Sequence, residues 1–222
     1  MKIIEVTNVD FSLRQFLLPL MRAARARGHE VLGACAEGPL LSTIRKEGFR
    51  ILPIAFERRV SPLSHVQAMG ELVRLFRAEK PDLVHAHMPV SGLLARAAAR
   101  IAGVPRIAYT CHGFIFNQPG PALRRAVSLA SEWTGGRLTD VFLTVAQNEA
   151  DDARRLGITG NPIAVGNGRD PALFRPDPER RARIRAQLHV PDDRPVIIAV
   201  SRLVQPKGYP ELAEAMAGIP GA

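Results

Sequence analysis

Short apolar runs rich in β-branched residues alternate with stretches of helical apolar spacing along the chain. That alternation predicts a parallel sheet whose strands are joined by helices. Residues 2–7 read as the first strand. Ser12 is placed to cap the following helix, in which Leu13, Phe16, Leu17, Leu20 and Ala24 recur at helical spacing before Gly28 ends it. Pro19 lies inside that helix and should bend it. Strands are expected at 30–36 and 50–55, separated by a short helix that stops at Gly48. Val66, Met69, Leu72, Val73 and Phe76 mark one apolar helix face closed by Lys80-Pro81. Then come a strand at 82–87, an Ala-rich helix at 91–102 with Gly103 as its cap, and a strand at 106–110. A helix from Pro121 to Gly135-Gly136, a strand at 140–146, a helix at 148–156 and a strand at 163–165 complete the series.

The pattern changes after Gly166. Gly166-Asn167-Gly168-Arg169-Asp170-Pro171 is rich in turn residues and leads through Pro176-Asp177-Pro178 into a charged helix, the composition of a linker. Residues 195–201 then resemble a fresh buried strand and 209–217 a helix. One strand and one helix cannot bury a core. The expected organisation is a first domain at 1–166, a linker and helix at 167–194, and the incomplete start of a second domain at 195–222.

Composition narrows the functional classes. Apolar residues make up 46% of the 222, enough for a full core. Thirty Lys and Arg against 21 Asp and Glu give a formal charge of +9, which favours anionic partners. The Arg residues are scattered, and no aromatic residues interleave with the dense stretch at 180–185, so nucleic acid is not an expected partner. Cys35 and Cys111 are too few for a disulfide framework. The opening residues carry no signal-peptide apolar region, and no apolar run is long enough to span a membrane. A cytoplasmic protein that can touch the inner membrane face is expected. No phosphate loop of the GxxxxGK[ST] kind is present, and Gly166-Asn167-Gly168 does not continue as a dinucleotide-binding motif.

Open parallel sheets bind ligands outside the carboxyl ends of their strands. Three predicted strand exits carry useful residues: Asp10 and Ser12 after the first, His87 before Ser91, and Cys111-His112-Gly113. His85 and His87 share a strand face and could form half of a metal site, but no acidic or Cys cluster is close in sequence, so hydrogen bonding or packing is expected instead. His112 stands beside Gly113, which permits close backbone approach by a ligand; structural and functional roles are both open. Cys111 points away from His112 if both continue the strand, and reads as a small buried residue. Arg202 and Lys207 flank a strand-to-helix turn, either as a diphosphate clamp or as a solvated basic loop.

Pro81-Asp82-Leu83-Val84-His85-Ala86-His87, Ala102-Gly103-Val104-Pro105 and Thr110-Cys111-His112-Gly113-Phe114 resemble the first domain of family-4 retaining glycosyltransferases. Asn167-Gly168-Arg169-Asp170 with Phe174-Arg175-Pro176 is similar to that family's interdomain segment. Ser201-Arg202-Leu203 through Lys207-Gly208 is similar to a second-domain motif. The order and separation of these motifs agree across essentially the whole chain.

The resemblance implies an α/β fold: a Rossmann-like doubly wound parallel sheet, the N-terminal domain of the two-domain GT-B type, followed by the start of a second Rossmann-like domain. It implies a nucleotide-sugar donor and a glycan or polyprenyl-diphosphate-linked sugar acceptor, with no metal and no cofactor. His112 would sit at the reacting centre, Gly113 beside the donor, and Arg202 and Lys207 against the donor diphosphate. Asp10, Ser12 and His87 are acceptor-side or loop candidates. The stretch Phe11-Ser12-Leu13-Arg14 is most similar to members that build surface polysaccharides. Where many relatives carry a glycine pair, this chain has Val9-Asp10-Phe11-Ser12, so no donor contact is carried over there. The family's paired-glutamate segment would lie beyond Lys207, and the 222 residues alone are expected to bind donor poorly and not to turn over. Two other readings of the same residues are a sugar-nucleotide 2-epimerase of like architecture and a non-catalytic domain that binds a lipid-linked acceptor.

Overall fold

Seven parallel strands among the described residues form one sheet: β1 (Lys2–Val6), β2 (Glu30–Cys35), β3 (Ile51–Pro53), β4 (Leu83–His87), β5 (Arg106–Cys111), β6 (Val141–Thr144) and β7 (Ile163–Ala164). Their order across the sheet is β3-β2-β1-β4-β5-β6-β7. The computed structural model describes residues 1–56 and 62–219. Contacts divide the chain into Met1–Asp170, which holds the sheet, and Pro171–Ala222.

The helices of the first unit are α1 (Asp10–Ser12), a π-helical stretch at Leu13–Leu17, α2 (Leu18–Ala26), α3 (Leu41–Lys46), α4 (Pro62–Glu79), α5 (Pro89–Ala102), α6 (Ala122–Arg137) and α7 (Gln147–Arg155). The chain steps outward from β1 to β3, then returns to place β4 on the other side of β1. Crossovers of one hand running in opposite directions put their helices on opposite faces. Both faces are therefore covered, which is what an all-parallel sheet requires. On one face Leu13, Leu17, Met21, Leu41 and Ile44 pack with Val31 and Cys35. On the other, Ala68, Leu72, Phe76, Ala95 and Ala99 pack with Ile4, Val6, Val84, Ala86, Ile107 and Tyr109. The expected doubly wound α/β architecture is the one observed.

Close packing on the second face uses an unusual core residue. Arg96 is fully buried, its guanidinium 3.7 Å from the centre of the Tyr109 ring and 3.5 Å from Glu132 on α6. Tyr109 donates its hydroxyl hydrogen to Glu132 at 3.0 Å. Burial raises the Glu132 pKa, with Arg96 and the Tyr109 hydrogen bond pulling the other way.

Four expectations change. Ser12 is not a helix cap: the helix starts two residues earlier, with extended Val9 at its N-cap, and Ser12 is buried in the first turn. Pro19 does not bend a regular helix. The preceding stretch widens into a π turn in which the Leu18 N–H reaches back to Leu13 O, leaving room for a ring that lacks an N–H of its own. Val66 is 70% exposed, and the buried stripe of α4 runs instead through Ala68, Leu72 and Phe76. In the second unit, residues 195–200 form no strand. Their backbone polar groups have no neighbouring strand to pair with among that unit's described residues, and Ile198 and Val200 are 76% and 89% exposed.

The second unit does contain the expected helices. α8 (Pro178–Gln187) opens with Pro178 after Asp177, whose side chain accepts from the Arg180 N–H at 2.8 Å. α9 (Tyr209–Ala217) follows Gly208, which has a left-handed φ of 69°. No helix among the described residues is long and apolar enough to cross a membrane.

Candidate functional site

Three adjacent strands of the first unit present polar side chains on one face at the carboxyl end of the sheet. The register sets Glu5 of β1 beside His85 of β4, and His87 of β4 beside Thr110 of β5. Side chains alternate between faces along a strand, so Glu5, His85, His87 and Thr110 share one. His112, just past the end of β5, continues the same alternation, while Tyr109 and Cys111 enter the core on the other side. The strand order reverses between β1 and β4, the place where open α/β sheets take their ligands.

These side chains form one hydrogen-bonded chain. His87 Nε2 lies 2.8 Å from Glu5 Oε2, and His85 Nδ1 lies 3.3 Å from the other carboxylate oxygen, Oε1. His85 Nε2 is 2.8 Å from Thr110 Oγ1, and His87 Nδ1 is 3.2 Å from His112 Nε2. Glu5 and His87 are each only 2% exposed, whereas His112 is half-buried. The His85 and His87 ring centres are 4.1 Å apart, and Phe16 from the π turn stands 6.3 Å from the His112 ring.

Burial alone would raise the Glu5 pKa. The attraction of His85 and hydrogen bonds from both histidines outweigh it and bring the value down to about 2. His87 is pushed down to about 4, first by burial and then by the neighbouring His85, against the opposing pull of Glu5. His112 is lowered too, by burial and by His85. His87 and His112 are therefore both disfavoured as imidazolium, next to a carboxylate held ionised.

Among the described residues, Glu5, His85 and His87 are the group whose ligand atoms, all within 4.8 Å of one another, could surround a metal ion. The acid that seemed missing beside the two histidines is Glu5, which is 80 residues away from His85 in the chain and adjacent in space. The contacts are those of hydrogen bonds. One local signal marked Glu5: a carboxylate inside the otherwise apolar Ile3-Ile4-Glu5-Val6 strand has to find partners.

The other sequence candidates fall as follows. Gly113 has φ +113°, a backbone conformation that favours glycine, and its missing side chain faces Glu149. Glu149 lies in the first turn of α7; one of its oxygens is buried with no hydrogen-bond partner, and burial raises its pKa. Asp10 spends both carboxylate oxygens on backbone, accepting from Phe11 N at 2.8 Å and Leu40 N at 3.0 Å, which ties the β1 exit to the loop after β2. Ser12 is buried in α1. Arg202 and Lys207 belong to the second unit, both exposed, on the turn into α9 that Ser201 and Tyr209 brace with a 3.1 Å hydrogen bond. The structure thus brings His87 and His112 together, adds Glu5, His85 and Thr110, and places Asp10 as a loop tie.

Residues 13–168 match the model of the glycosyl transferase 4-like domain. A Bacillus subtilis (strain 168) protein carrying the glycosyltransferase name EpsD is 30% identical over 97% of this chain, which covers 57% of that protein. The UDP-Gal:alpha-D-GlcNAc-diphosphoundecaprenol alpha-1,3-galactosyltransferase of Escherichia coli is 38% identical over 76 residues, 34% of this chain and 19% of that enzyme. Among solved structures, a glycosyltransferase from Rickettsia africae ESF-5 superposes with a TM-score of 0.71 at 17% identity, over 97% of this chain and 56% of that one. This chain spans less than two thirds of the length of each of these proteins. With the family model matched from the π turn after β1 to the residues beyond β7, the chain belongs to the glycosyl transferase 4-like family.

Proposed function

We propose that this chain supplies the acceptor-side domain, and the opening of the donor side, of a retaining hexosyltransferase-type glycosyltransferase of surface polysaccharide biosynthesis. The observation that carries the reading is the position of His112. It stands past the end of β5, one strand from the strand-order reversal and in contact with His87 of β4, beside the left-handed turn at Gly113, on a hydrogen-bonded scaffold that begins at the buried Glu5. In the reaction, the bond between the sugar's anomeric carbon and the donor diphosphate breaks, and the electron pair leaves with the phosphate. The acceptor hydroxyl oxygen bonds to the same face of that carbon, and its proton passes to the departing phosphate. Arg202 and Lys207 neutralise the diphosphate as charge develops, Gly113 lets the backbone approach the donor, and no metal is required. Asp10, Ser12 and His87 line or shape the acceptor side.

The acceptor we infer is a glycan or a polyprenyl-diphosphate-linked sugar at the inner membrane face, in keeping with the E. coli relative, whose name specifies a diphosphoundecaprenol acceptor. A chain with formal charge +9 suits an anionic surface. The test uses the native gene product purified from its own cells. Its intact mass is recorded first, and it is then assayed with a panel of nucleotide sugars and a polyprenyl-diphosphate-linked acceptor. Transfer with retained anomeric configuration is expected, lowered roughly 100-fold or more in His112→Ala. An epimerised sugar formed without acceptor would move the protein to the 2-epimerases. Acceptor binding with no turnover would leave a binding module.

A further inference from the structure

We propose that Glu5 and His87 are positioning residues that fix the tautomer of His112, so that Nε2 carries its hydrogen and Nδ1 offers a lone pair. The argument is a count of donors along the chain of hydrogen bonds. An ionised carboxylate can only accept, so both His85 Nδ1, at 3.3 Å from Glu5 Oε1, and His87 Nε2, at 2.8 Å from Oε2, must be the donors. A neutral imidazole has one hydrogen. His85 Nε2 meets the Thr110 hydroxyl at 2.8 Å, a branch that does not reach His112. With its hydrogen committed to Glu5, His87 Nδ1 becomes an acceptor, and the group that faces it is His112 Nε2 at 3.2 Å. That nitrogen must therefore carry the His112 hydrogen, and Nδ1 is left bare. No hydrogen-bond partner of His112 Nδ1 is found among the described residues, so it remains open to a ligand.

Burial makes the arrangement rigid rather than statistical. Glu5 and His87 are each 2% exposed and His85 is 8% exposed, so water cannot supply a substitute donor. The lowered pKa values of His87 and His112 keep one hydrogen on each ring at neutral pH. The chemical consequence rests on the function proposed above: a bare Nδ1 accepts from a hydroxyl and repels a phosphate oxygen. His112 would accordingly meet a sugar or acceptor hydroxyl, leaving the diphosphate to cations and backbone N–H groups.

Long-range proton–nitrogen spectra of the full chain with 15N-labelled histidine, at pH 7 and without any substrate, test this directly. The Nε2–H form of His112 should exceed the Nδ1–H form by roughly tenfold, as expected of one hydrogen bond enforced in a buried chain. Glu5→Gln introduces an amide that donates as well as accepts, and should shift His112 to the Nδ1–H form or to a near-equal mixture. Thr110→Val, which touches only the His85 branch, should leave His112 unchanged. An equal mixture or an Nδ1–H majority in the wild-type chain would overturn the proposal, and this reading stands even where Glu5→Gln fails to fold. So would a folded Glu5→Gln chain with unaltered His112 signals, or a stoichiometric metal ion found on Glu5, His85 and His87. Because the spectra need neither donor nor acceptor, failure of sugar transfer with the Nε2–H form intact would sink the enzymatic reading alone.

Discussion

Glu5 stays charged in a strand of apolar neighbours because two imidazole N–H groups stand where water would be. Its carboxyl has a pKa of about 2 in the fold against an ordinary 4.5, so its stabilising contribution is complete above pH 4.5 and drains away as pH falls towards 2. His87 is held to about 4 against an ordinary 6.5. The unfolded chain takes up that proton below pH 6.5 while the folded chain refuses it until about pH 4, so stability is lost over that window as well. The two windows join, and stability should fall continuously from pH 6.5 downwards, with roughly 3 kcal/mol gone by pH 4 from His87 alone. Urea midpoints measured at pH 7, 5.5 and 4 check this; equal midpoints would show that the buried network is not coupled to folding. Of the cluster, His85, His87 and His112 were visible in the sequence as residues at strand ends. Glu5 was visible only as an oddity, since its partners are 80 and 82 residues away and local patterning carries no information about which strands become neighbours.

At the scale of elements, small residues decide where helices can lie. Gly136 on α6 sits so close to the carbonyl of Ile158, in the turn after α7, that a methyl group there would collide with backbone. Gly136→Ala should therefore destabilise the first unit by about 1–3 kcal/mol, read as a lower urea midpoint with an unchanged slope. At Gly160, where nothing lies within 4 Å of an added carbon, the same substitution should leave the midpoint nearly unchanged. In the second unit, Asp177→Ala removes the acceptor for the Arg180 N–H and should cost α8 about 1 kcal/mol, seen as faster amide exchange in its first turn. Most strands and helices were legible because a strongly periodic segment announces itself wherever it ends up. The misread positions share one cause. Ser12 lost its cap role to the earlier Asp10 start, Pro19 was accommodated by a π turn, and 195–200 lacked a partner strand. In each, the outcome depends on what surrounds the segment rather than on the segment itself.

For the molecule as a whole, the two units differ in how they are held. The first buries both faces of its sheet, whereas the second leaves Ile197, Ile198, Val200 and Leu203 between 55% and 89% exposed. Residues 165–176 between β7 and α8 are exposed and outside regular structure. Trypsin should cut first at Arg169 and leave a resistant fragment beginning at Met1, followed on gels and by mass. Early cuts at Arg96 or Arg100 would contradict this picture of the sheet unit. The strand order has a further consequence, in time rather than space. β1 lies between β2 and β4, and its buried acid meets its histidines only when β4 has been made, about 80 residues later. At ribosomal speeds of roughly 5–20 residues per second, that is a delay of about 4–16 s. Throughout that interval the nascent chain carries a strand with one open edge and an unpartnered carboxylate, and β4, the middle strand of the seven, is the one that closes that edge.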